Sequence, residues 1–127
     1  MNPSWHGACT SCYVEDKMGP EPIDAYLSSV REIPELAPDD ARSLGWLSWS
    51  GDWAARQELI ERHLWLVVEM AERLRPGGSA QADLIVDGNV ALVRAAEVYR
   101  PWQDGEFGAY AEEYLLREIG KEVLPAA

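Results

Sequence analysis

Positive charge is scarce in this chain. Its 127 residues hold 11 Lys and Arg against 22 Asp and Glu, a formal net charge of −11. Nucleic acid is a dense line of phosphate charge that proteins usually meet with Lys and Arg, so the chain as a whole is repelled by it. Local patches matter more than totals, which leaves room for a local contact, but a basic surface on a protein partner is the easier match. Cysteine is scarcer still, at two residues. His6, Cys9 and Cys12 lie at three-residue intervals in "HGACTSC", a spacing suited to three ligands of a zinc site. No fourth ligand and no second Cys pair accompany them, so Cys9 and Cys12 read as reduced thiols and no metal is expected. Long apolar runs are missing too. None approaches the roughly 20 residues that span a bilayer, and the N-terminus lacks the basic-then-apolar order of a signal peptide. A cytoplasmic protein without membrane contact is the expectation.

Signatures of catalysis are equally thin. There is no phosphate-cradling glycine loop and no serine elbow. His63 sits on an apolar helix face with no identifiable nucleophile or carboxylate partner, which reads as a satisfied core histidine. Asp39/Asp40 and Glu112/Glu113 are sequence neighbours, so on a helix each pair points about 100° apart and shares no proton. Neither an enzyme nor a cofactor or small-molecule substrate is expected.

What is present is helical periodicity. Residues 1–22 hold Gly, Pro, Ser and Cys without pattern and read as a flexible leader, and residues 124–127 as a tail. Between them, 23–123 read as one all-α domain, a compact multi-helix bundle with short loops. "IDAYLSSV" is a short amphipathic helix, and "PDDARSLGWLSWS" starts another, with Pro38 in its first turn and Asp39 and Asp40 at its positive end. Gly51 and Asp52 mark a corner. "DWAARQELIERHLWLVVEMAERLR" reads as one long helix that buries Leu59, Ile60, His63, Leu64, Val67, Met70, Ala71 and Leu74. "RPGGS" ends it. The next helix, from about Asp83, buries Leu84, Ala91, Leu92, Ala95 and Tyr99. "RPWQDGE" breaks the pattern, and a last helix from about Phe107 to Val123 carries Phe107, Tyr110, Ala111, Tyr114, Leu115 and Ile119 on one stripe.

Two features stand out from this plan. In "DLIVDGNVALVRAAEVY" a glycine and an asparagine, Gly88 and Asn89, occupy the middle of a helix, where Gly costs about 1 kcal/mol relative to Ala. There are also six tryptophans. Core packing is expected to absorb one or two of Trp46, Trp49 and Trp53, and Trp65 is a candidate exposed contact.

The runs "YLSSVREIPEL", "GDWAARQELIERHLWLVVEMAERLR", "DLIVDGNVALVRAAEVY" and "FGAYAEEYLLREI" resemble, in order and spacing, the sigma-70 family of bacterial transcription initiation factors. The resemblance covers roughly Ile23 to Val123, the end of the family's first region and most of its second. It implies a sigma region 2-like helical bundle that docks on a coiled coil of the RNA polymerase β′ subunit. Carried over by position, Asp83, Asp87 and Asn89 supply polar contacts, with Leu84 and Leu92 supporting them. Gly88 then serves close helix packing.

Departures from the family pattern bear on DNA. Members melt promoters with an aromatic-rich final helix, an arrangement that replaces lost base stacking. Here Phe107, Tyr110 and Tyr114 remain as possible stacking residues, but Glu113 and Glu112 stand at a usual tryptophan and a usual polar position. Leu116 and Glu118, or their neighbours, replace basic residues, and Ala37 replaces a Thr cap at a cost of about 1 kcal/mol. With the sequence ending at Ala127, the family's promoter-spacer and upstream-element domains are expected to be absent. The resemblance thus implies a polymerase-binding regulator that recognises promoter DNA weakly or only with polymerase, either a competitor or a partial sigma factor. The alternatives are a minimal sigma factor that still opens promoters, and a non-transcriptional interaction domain whose tryptophan surface binds another protein.

Overall fold

The computed structural model describes residues 22–75 and 77–123, with side chains from Ile23 to Gly120. His6, Cys9, Cys12 and residues 124–127 lie outside the described residues. Those described form α1 (Pro22–Arg31), α2 (Pro38–Trp49), α3 (Trp53–Glu61), α4 (Leu64–Leu74), α5 (Gly78–Val98), the single turn α6 (Pro101–Asp104) and α7 (Phe107–Val123), with no strand among them. The expected all-α fold is what is found.

Helix α4 is the apolar centre. Leu64, Leu66, Val67, Val68, Met70 and Ala71 are all buried, a wider apolar surface than one stripe, as befits a helix covered on several sides. α5 lies against α4 on one side and α7 on the other, and α1 closes over α4 through Tyr26, Leu27 and Val30. Each such side chain removed from water contributes about 1.5–3 kcal/mol.

The helix ends follow local chemistry. Pro38 occupies the first turn of α2, where its missing N–H costs nothing, and Ala37 before it offers no side-chain cap. At the corner, Gly51 adopts φ +105°, a conformation that other residues resist. Asp52 then caps α3, its Oδ1 accepting the Ala55 N–H at 3.0 Å. Arg56 reaches back to the buried Ser48, donating to its Oγ and its carbonyl oxygen at 3.2 Å each.

The expected long helix is two helices, broken at Arg62 and His63. The side chain of His63 explains the break. Its Nδ1 lies 2.8 Å from the Leu59 carbonyl oxygen, the acceptor that a continuous helix would give to the His63 backbone. That backbone N–H instead donates to Ile60 at 3.0 Å. A side chain has taken the acceptor that the main chain would use. Arg62 fixes the joint from outside, donating to the Pro34 carbonyl at 3.1 Å and to Glu58 at 3.2 Å.

The tryptophans depart from expectation as well. Core packing absorbs none of Trp46, Trp49 and Trp53, all of which are exposed, as is Trp102. Trp65 is half-buried against the core. A surface tryptophan does not follow the period of the core face, so a reading based on core periodicity misassigns it.

Candidate functional site

The candidate site is α5, and its two faces differ sharply. Asp83, Asp87, Val90, Arg94 and Glu97 recur at three- and four-residue steps and are exposed. Leu84 and Leu92 point inward and are buried. Between Leu84, Asp87, Val90, Ala91, Arg94, Glu118 and Ile119 runs a shallow groove of about 150 Å³ shared with α7. This face offers carboxylates, one guanidinium and an exposed valine on a helix held rigid from behind.

Gly88 and Asn89 belong to the buried side. A Cβ on Gly88 would come within 2.6 Å of Val67 Cγ1 and 3.1 Å of Ile119 Cδ1, so only glycine lets α4, α5 and α7 meet this closely. The packing role expected of Gly88 is what the structure has. Asn89 is 6% exposed. Its Nδ2 donates to the Tyr26 hydroxyl at 3.2 Å, tying α5 to α1, while its Oδ1 is buried without a hydrogen-bond partner. Of the five residues expected at a polymerase contact, Asp83 and Asp87 are therefore at the surface, and Leu84, Asn89 and Leu92 support them from beneath.

The other candidate surface is α7. Phe107 is 1% exposed and packs edge-to-face on His63 and Tyr99, with ring centroids 4.9 and 5.1 Å away; it is core rather than an available stacking surface. Tyr110 and Tyr114 are half-buried, their rings 6.1 Å apart, and the Arg117 guanidinium sits 5.7 Å from the Tyr114 ring centre. Burial first, then the charge of Asp104, raises the Tyr110 hydroxyl above its ordinary pKa, so it stays a neutral phenol. Glu112, Glu113, Leu116 and Arg117 are exposed along the same helix.

Beside α7 a second cleft of about 270 Å³ is lined by Glu35, Glu106 and Glu112, with Trp65 and Leu66 among its apolar walls. Arg62 is the cation among its lining residues, and Pro34 and Glu58 already hold it. His63 also borders this cleft. Its burial lowers the imidazole pKa, outweighing the opposing hydrogen bond that the ring donates to the Leu59 carbonyl, so it adds no positive charge near neutrality. His63 is the satisfied core histidine expected.

Residues 59–120 match the family model described as Sigma-70 region 2. These residues are a sigma-70 region 2 segment. Over 107 residues it is 31% identical to the RNA polymerase sigma factor SigA of Clostridium acetobutylicum, and likewise to the RNA polymerase sigma factor SigA of a Bacillus species. Those alignments take in 84% of this chain but 28% of each relative. The sigma-70 region 2 match begins within α3 and ends within α7, so it contains both candidate surfaces. The sequence points to both and puts Phe107 on the apolar stripe of α7, where it is found, but offers no sign that Asn89 is buried, that Phe107 is closed to stacking or that Trp102 is exposed. An amide one position off a buried stripe gives no signal of which way it turns.

Proposed function

We propose that this protein is a sigma-like transcription regulator that docks on core RNA polymerase, at the β′ coiled coil, through the exposed face of α5. One observation carries the proposal: Asp83 and Asp87 stand on the open side of a helix that Gly88, Leu84 and Leu92 lock into the bundle. Carboxylates presented on a rigid element suit a basic partner surface, and charge-assisted contacts of this kind typically cost about 2 kcal/mol or more when truncated. Asn89 serves the site from below by fastening α5 to α1.

The same proposal includes weak promoter recognition. Glu112 and Glu113 are exposed on α7, and Glu112 lines a cleft together with Glu35 and Glu106. Carboxylates facing phosphate repel it. The protein then competes with a full sigma factor for the polymerase, or serves as one part of a divided factor. A second reading, a reduced sigma factor that opens promoters, draws on the Tyr110, Tyr114 and Arg117 cluster. This cluster offers stacking surfaces once polymerase supplies the positive charge. Permanganate footprinting of unpaired thymines with core enzyme separates the two. The proposal expects no promoter opening by this protein; clear opening makes it a working sigma factor.

A further inference from the structure

The largest unexplained feature lies away from α5. Trp46 and Trp49 of α2 and Trp102 of α6 are 45%, 52% and 53% exposed, yet they touch one another. Their ring centroids are 6.3 Å apart for Trp46–Trp49, 6.2 Å for Trp46–Trp102 and 4.7 Å for Trp49–Trp102. Alongside runs a cleft of about 280 Å³ whose walls include Trp46, Pro38 and Pro101, with Glu106 and Arg42 at its polar edge. The largest contiguous apolar patch on a monomer, typically about 300–600 Å², is often functional, and Trp is among the residue types enriched at the energetic centres of interfaces.

The shape and charge of the patch narrow the occupant. The rings fill the space between themselves, so they form no open cage for a quaternary ammonium ion, which needs room above several ring faces. Half-exposed tryptophans present on the order of 100 Å² each, so three supply roughly 300 Å². A standard interface needs about 800 Å² per partner, so the patch must be the centre of a larger contact with a polar rim. The rim favours positive charge in the partner. Arg42 is 3.5 Å from Asp39 and shares its charge with it, Glu106 borders the cleft, and Asp104 and the exposed Arg100 each lie two residues from Trp102. Carboxylates thus outnumber guanidiniums three to two around a patch on a chain of net charge −11. A second copy of the chain brings another −11 charges, and a nucleic acid brings phosphates; both meet repulsion.

We infer that the Trp46–Trp49–Trp102 patch and its adjoining cleft are a docking site for a protein segment that places an aromatic or aliphatic anchor beside Trp46 and basic residues along its flanks. The site is separate from α5 and does not depend on polymerase binding.

Selection of random displayed peptides against the full chain tests this directly, with the Trp49→Ser/Trp102→Ser double variant as the comparison target. The enriched peptides should share an apolar anchor flanked by Lys or Arg. They should bind the double variant about tenfold more weakly or worse, the loss typical of removing interface anchors. Trp53→Ser, an exposed tryptophan outside the three-ring cluster, should leave binding unchanged. Thermal melts of all variants establish that they remain folded; should the double variant unfold, Trp102→Ser alone, on the single-turn α6, replaces it. The inference is overturned if no peptide is enriched, if enriched peptides carry acidic flanks, or if they bind the double variant as tightly as the parent. Oligothymidylate binding that disappears in the double variant would overturn it in favour of a nucleic-acid platform. A concentration-dependent doubling of mass that disappears in that variant would do so in favour of a self-association surface.

Discussion

Gly88 and Val67 are so close that a Cβ on the glycine would lie 2.6 Å from the Val67 Cγ1. Backbone of α5 therefore rests directly on a side chain of α4, and α7 closes the same point through Ile119. Gly88→Ala should destabilise the protein by about 1–2 kcal/mol, because overpacking costs roughly 1–3 kcal/mol and the gain in helix propensity returns about 1 kcal/mol or less. Gly108→Ala is the contrast. Its Cβ would lie 3.6 Å from His63 Nε2, an ordinary contact, so that substitution should be neutral or stabilising by up to about 1 kcal/mol. Denaturant midpoints of the two variants check both signs. Equal effects would mean that the three-helix contact at Gly88 is not tight.

Asn89 and Tyr26 should behave as a coupled pair. Each single change, Asn89→Ala or Tyr26→Phe, breaks the 3.2 Å bond between α5 and α1, and the bond's net worth is about 1 kcal/mol. A double-mutant cycle on unfolding free energy should return a coupling of that order. A coupling of zero would detach α1 from α5.

Stability should fall in mild acid because of His63. Burial holds its folded pKa below the ordinary value of 6.5. Above 6.5 the ring is neutral whether the chain is folded or unfolded, and stability is at its full value. As pH drops below 6.5 the unfolded chain takes up the proton more readily, so stability declines until the folded pKa is passed. Urea midpoints between about pH 7.5 and 5.5 should therefore decrease in the parent, and His63→Gln should flatten that slope. A parent slope unchanged by His63→Gln would remove the buried imidazole from the account.

Most of this fold could be read from periodicity, because a buried face repeats every third or fourth residue and the apolar residues of α5 and α7 obey that rule. So do Leu64, Val67, Met70 and Ala71 of α4, although Leu66 and Val68 are buried beside them. Turn chemistry gave the corner at Gly51 and Asp52 for the same reason: positive φ and an N-cap each favour particular residue types. The break at His63 was not legible. It depends on one imidazole taking the Leu59 carbonyl from the backbone, and nothing in the surrounding helix formers announces it. At the candidate site the exposed carboxylates Asp83 and Asp87 were foreseen. The inward turn of Asn89 was not, since its partner Tyr26 lies 63 residues away in the chain. The tryptophan cluster escaped because Trp102 meets Trp46 and Trp49 only through the fold.

The account turns on α5 as a polymerase-docking surface, and the most direct measurement is the affinity of core RNA polymerase for the parent chain and for an Asp83→Ala/Asp87→Ala variant. Both carboxylates are exposed, so the variant should melt like the parent. The parent should bind core enzyme. The variant should bind at least about tenfold more weakly, the equivalent of 1.4 kcal/mol or more. Equal binding by a folded variant, or no binding by the parent, would contradict the account.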